Sequence, residues 1–210
     1  MNCRLLLNAG LALLAASCGV SGAVRTWTGA ANNDWYDPAN WSPPGVPDSA
    51  DTLNVNGGNP TLSPQFTLIG QINWTSGSLL GGLTVGAGGT LNWQGGGLSS
   101  LGSLTVAAGG VVLLDGAGGG RDITGALTNR GVIRWLDGGL GLYYRAGDPN
   151  TQGQIWNEPG GVIDIQCDQS LASTPGYIGT LHNAGLLRKS GTGGTTSLTA
   201  AIENSGTNLV

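Results

Sequence analysis

Between Leu83 and Val210 one pattern recurs six times: an aliphatic anchor, Val or Asn two positions later, a Gly, then a short β-prone run. The anchors are Leu83, Leu104, Leu127, Ile155, Leu181 and Ile202, spaced 21, 23, 28, 26 and 21 residues apart. Val85, Val106, Asn129, Asn157, Asn183 and Asn204 stand two positions after them, and Gly89, Gly110, Gly131, Gly161, Gly185 and Gly206 punctuate the units. After the glycines come β-prone runs such as Val132-Ile133-Arg134-Trp135 and Val162-Ile163-Asp164-Ile165. A unit this short cannot bury its own apolar face, so it must stack on its neighbours, and a period in the twenties predicts a solenoid. Alternation in Leu83-Thr84-Val85 and Leu104-Thr105-Val106 turns the apolar residues to one face and Thr to the other. Glycine between the strands suits the positive φ that corner turns often require. No long stretch keeps a helical period without Gly interrupting it. The expected fold is all-β, a parallel β-helix of strands about 4.8 Å apart. At one level of the stack, Asn129, Asn157, Asn183 and Asn204 are expected to form a ladder, each amide bonded to the next.

Forty of the 210 residues are Gly, but 40% are hydrophobic and recur in register with them, which favours packed strands over disorder. A net charge of −4 with only eight Lys and Arg excludes a basic face for nucleic acid. Residues 1–23 read as a signal peptide. Arg4 precedes an apolar stretch, Leu5 to Ala16, too short to span a bilayer, and Ser21-Gly22-Ala23 predicts cleavage before Val24. Lipoprotein processing at Cys18 is the competing reading. Cleavage before Val24 leaves Cys167 as the single thiol, unable to form an internal disulfide and expected as a small buried residue.

Residues 24–66 differ in composition from the repeats, with three of the seven Trp (Trp27, Trp35, Trp41) and six of the nine Pro. This segment is expected to cap the first coil, because an open solenoid end exposes core and strand edges. The series Trp27-Thr28-Gly29, Trp35, Asn40-Trp41 and Pro47-Asp48 with Asp51 resembles the opening of secreted bacterial proteins with autotransporter-type passenger repeats. Leu181-His182-Asn183-Ala184-Gly185 and Ile202-Glu203-Asn204-Ser205-Gly206 are similar to the Asn-x-Gly repeats of that group. The resemblance implies a right-handed, single-stranded parallel β-helix outside a Gram-negative-type cell, with residues 67–210 as its repeats. The chain departs from that pattern in having no barrel-forming segment. With a sixth unit stopping at Val210 and no polar cap after it, the chain is expected to be the front portion of a longer protein whose last coil frays.

Candidate chemistry is sparse. A glycosidase needs two carboxyls facing across a groove; the nearest arrangements are Asp164 with Asp168, and Asp115 with Asp137. Neither sits in a motif with His or Lys, so solvated turn carboxylates are the expected reading. His182 is the single histidine and falls at outward parity, a solvated side chain by expectation. Gly118 to Thr124 is one imperfect copy of a calcium-binding glycine-rich nonapeptide, where such sites need tandem copies. No strand–glycine-loop–helix context supports a phosphate loop. Trp93 and Trp135, each four residues after its Gly, are candidates for a glycan-stacking strip if they face outward, and core residues if inward. No catalytic, cofactor or metal site is expected. The expectation is an exported, noncatalytic solenoid with a structural or adhesive role, contacting surface glycans or extracellular proteins; the alternative is a carbohydrate-active β-helix protein. The mature chain is expected to cross no membrane.

Overall fold

The computed structural model describes residues 22–116 and 120–209, so the expected export signal lies almost wholly outside the described residues. The chain is 54% strand and 2% helix, wound as a parallel β-solenoid of about 7 turns. One sheet has ten strands, and along it Val24–Trp27, Thr52–Asn56, Gln71–Ser76 and Thr90–Trp93, the first post-glycine strand, are succeeded by the other five post-glycine strands down to Thr207–Leu209. All of these pair in parallel, and the antiparallel strand Trp41–Ser42 closes the first edge. A second sheet of eleven strands wraps the rest of each coil. In the early coils it is crossed by the long strands Thr61–Leu68, Ser78–Val85 and Gly96–Val106. Farther on it splits into an anchor face (Ala126–Asn129, Gln154–Asn157, Thr180–Asn183, Ala201–Asn204) and a third face (Arg121–Ile123, Leu140–Leu142, Ser170–Ala172, Ser197–Leu198).

The anchors stack in the expected register, each pairing with the next from Leu83 to Ile202. Five of them are buried; Ile202, in the last coil, is 38% exposed. The post-glycine strands stack equally, so Leu91, Val112, Ile133, Ile163 and Leu187 make one inward column. Beside it runs a column of Trp74, Trp93, Leu114, Trp135 and Ile165, in which the Trp74 and Trp93 rings stack at 4.7 Å and 10°.

The ladder reaches back through Thr52–Asn56 to Val24–Trp27, so the segment expected as a cap also contributes strands to the stack. Trp27, Trp35 and Trp41 are buried with Phe66, with Trp35 and Trp41 edge to face at 4.7 Å. The Trp41 indole N–H donates to the Trp35 carbonyl at 2.8 Å. Asn40, fully buried, accepts from the amides of Ala31 and Asn32 and donates to Asn32 and Asp34. Its polar groups are thus all matched, which burial of an amide requires.

The punctuating glycines act differently from the expectation. Positive φ falls one residue earlier, at Gly88 (84°), Gly109 (81°) and Gly160 (87°). The punctuating residues are glycine because the previous coil lies against them: a Cβ would stand 2.4 Å from the Leu68 carbonyl oxygen at Gly89, 2.3 Å from that of Val85 at Gly110, and 2.4 Å from that of Ala107 at Gly131. The constraint is space, and one glycine of each Gly-Gly pair serves the turn while the other serves the contact.

On the outer face of the first sheet, Asp164 sits between coils with its side chain almost wholly covered. The hydrogen bond from Arg188 (2.7 Å) holds its carboxyl down to about 2 against the opposing effect of burial, helped by Ser190 and Gln166. A depressed folded-state pKa means the clasp contributes its full stability above the unfolded value near 3.8 and loses it as pH falls through about 2. Asp164→Asn is therefore expected to lower stability at neutral pH and to flatten the dependence between about pH 4 and 2. Urea melts across that window check this, and an unchanged slope would remove Asp164 from the acid response.

Candidate functional site

Trp93 and Trp135 do not form a glycan platform. Both are core residues, 0% and 2% exposed, and their indole N–H groups donate inward-side bonds to the Gly95 and Gly138 carbonyls. The reason is parity: Leu91 and Ile133 point into the core, so the residues two positions on do the same. Of the carboxylate pairs, Asp164 and Asp168 are taken up by separate clasps, while Asp115 is exposed. Asp164 is held by Arg188, while Asp168 meets Lys189 at 2.8 Å and Thr192. Asp137 accepts from the Gly138 amide and Gln169. Cys167 is buried and burial pushes its thiol pKa up, keeping it protonated.

Asn129, Asn157, Asn183 and Asn204 stand in register at one level. Each side-chain amide donates to the next carbonyl oxygen at 2.8, 2.6 and 2.7 Å. The first three are at most 1% exposed, and Asn204 is exposed. A second ladder, which the repeat pattern did not predict, runs on the outer face of the first sheet. Asn92 donates to Asn73 and Asn73 to Asn54, both at 2.8 Å.

The anchor face carries an outward column of its own, in which Thr67, Thr84, Thr105 and Thr128 succeed one another in register. The column then changes character, continuing as Trp156, His182 and Glu203. Trp156 is 42% exposed while the other six tryptophans are at most 6% exposed. Its ring lies on the His182 imidazole with centroids 3.7 Å apart and planes 7° from parallel. The Glu203 carboxylate lies 2.8 Å from His182 Nδ1, and since an ionised carboxylate only accepts, that nitrogen carries the proton. Nε2 faces the Gln154 side chain at 3.0 Å, and an amide offers a donor or an acceptor according to its rotation. His182 is thus partly buried and held from three sides, not freely solvated as its parity suggested.

Beside this column an open groove of about 360 Å³ crosses three successive coils, bordered by Trp156, Glu158, His182, Glu203 and Ser205. Glu158 is held by Arg130 from the coil before, through two bonds of 2.7 and 3.0 Å. Both carboxylates of the groove are therefore already paired with a cation or an imidazole. The arrangement offers a flat aromatic edge, amides, a hydroxyl and one carboxylate, Glu203, whose partner is an imidazole and not an arginine. Among the described residues the one buried arginine, Arg121, lies in the core, its Nε and Nη1 donating to the carbonyls of Trp93 (2.7 Å) and Asp137 (3.0 Å). Burial lowers its pKa, opposed by Asp115 and Asp137.

No protein-family model matches the chain, and no curated protein or solved structure is detectably similar to it. The likeness to autotransporter-type passengers is carried by the sequence motifs alone. Sequence parity does contain the exposed Trp: once Ile155 and Asn157 are inward, Trp156 must be outward.

Proposed function

We propose that the protein is an exported, noncatalytic rod with a structural or adhesive role at the cell surface or outside the cell, akin to the passenger repeats that its motifs resemble. The observation that carries this reading is the unbroken parallel stacking from Val24 to Leu209, tied across coils by amide ladders. A fold whose interior strands are each paired on both sides offers proteases few openings, as a component of an extracellular layer requires. The repeats supply length and stiffness, and the outward columns supply contacts. Arg4, the apolar stretch after it and Ser21-Gly22-Ala23 support export. The test is expression from Met1 in a Gram-negative host, then fractionation and intact-mass measurement. The expected result is protein outside the cytoplasm beginning at Val24 and resistant to trypsin under native conditions. Retention in the cytoplasm at full length would overturn the reading, and a lipid-modified mass beginning at Cys18 would replace release by a membrane anchor.

A further inference from the structure

We propose that the groove beside Trp156, His182 and Glu203 binds a short, uncharged oligosaccharide lying along the solenoid axis, giving the adhesive reading above its ligand class. Four coils place Thr at this outward level, so the fold itself asks for nothing larger there. Trp156 breaks that series and leaves a large aromatic 42% exposed, where burial elsewhere takes every other tryptophan. Its orientation is fixed by the imidazole stacked at 3.7 Å, which is in turn held by Glu203 and Gln154. An exposed aromatic held this firmly is pre-organised, which lowers the entropy lost when a ligand docks.

The groove's chemistry selects among ligands. A metal ion or a polyamine needs several open carboxylates together, but Glu158 is engaged by Arg130, Glu203 shares its carboxylate with His182, and no group of three or more metal-ligating side chains occurs among the described residues. An anionic ligand would face those same two carboxylates, and no cationic side chain lies among the residues that border the groove. A neutral sugar fits both restrictions, because its C–H groups pack against the exposed aromatic edge while its hydroxyls exchange bonds with amides, carboxylates and the Ser205 hydroxyl. The groove spans three coils, about 10 Å between the outer strands at the parallel-strand spacing. Its long direction crosses the strands, so an extended chain of sugars meets one coil after another.

The experiment uses the purified protein and neutral tetrasaccharides of glucose, mannose and N-acetylglucosamine. Trp156 is the exposed tryptophan, so iodide quenching reports on it selectively among the seven. At least one tetrasaccharide is expected to protect it, with a Kd of about 1 mM by calorimetry, a value suited to a shallow open site. Trp156→Ala should weaken binding at least tenfold. Thr105→Ala, at the same level two coils away, should leave it unchanged. Binding that survives Trp156→Ala, a preference for oligogalacturonate or spermidine, or no binding by any of the neutral sugars would overturn the site. Such a failure is separable from that of the scaffold reading, which stands or falls on export and protease resistance.

Discussion

Gly131→Ala is expected to lower the stability of the solenoid by roughly 3 kcal/mol or more, at the upper end of what overpacking causes. A Cβ at this position would stand 2.4 Å from the Ala107 carbonyl oxygen and 2.5 Å from that of Gly110. Both atoms are backbone of the preceding coil, so relief requires the coils to move apart and the flanking parallel pairs, such as Val132 with Val111, to lengthen. Gly160→Ala provides the contrast. It has φ of +87° but nothing within 4 Å of an added Cβ, so its penalty is local strain of roughly 1–2 kcal/mol. Urea unfolding of the two variants separates the effects. Equal losses would mean that turn conformation, and not contact between coils, sets the glycine requirement.

Asn157→Ala should rank next, at roughly 2–3 kcal/mol. Asn157 is the middle rung of the inner ladder, accepting from Asn129 and donating to Asn183, with a further bond to the Leu186 carbonyl at 3.2 Å. Its removal leaves amide groups on both sides without their partner in a buried setting. His182→Ala, one coil on and at outward parity, loses a stacked ring and two bonds at a partly wet site, for roughly 1 kcal/mol. Thermal melts give the order directly. A larger loss for His182→Ala would contradict the inward placement of the ladder.

Much of this architecture is legible in the residues. The anchors are aliphatic at every unit, most post-glycine runs are aliphatic or β-branched, and a period of two fixes which of them point inward. The same rule, applied from Leu91 and Ile133, places Trp93 and Trp135 in the core and removes the glycan platform. The third face escaped because its strands are three residues or fewer in the later coils, and one of them puts Arg121 at the inward position that Leu140 and Leu171 hold in the next two coils. A fully buried arginine held by two carbonyls through Nε and Nη1, with Nη2 left without a partner, has no sequence signature. The outer ladder was readable in Thr52-Leu53-Asn54, Gln71-Ile72-Asn73 and Thr90-Leu91-Asn92, which repeat every 19 residues ahead of the region where the glycine pattern is strongest. The exposed Trp156 can be derived from parity as well, but its partners cannot. Gln154 lies on the same strand, whereas His182 and Glu203 reach it only through stacking across 26 and 47 residues.

Unit length varies from 21 to 28 residues, yet from Leu83 onward the paired strands of the anchor face show no slip in register. The extra residues are diverted into the turns, including the Arg145–Thr151 excursion, where Tyr144 bridges Gln152, and the smaller one closed by Thr174 and Tyr177. Arg145 and Tyr177 touch across these two excursions, so the added segments pack on each other while the coils beneath keep their spacing. Insertion and mechanical continuity are thereby assigned to different parts of the chain. A peptide tag or a grafted loop at Gly147, an open position with φ of +82°, can lengthen the excursion without asking any rung of the stack to shift.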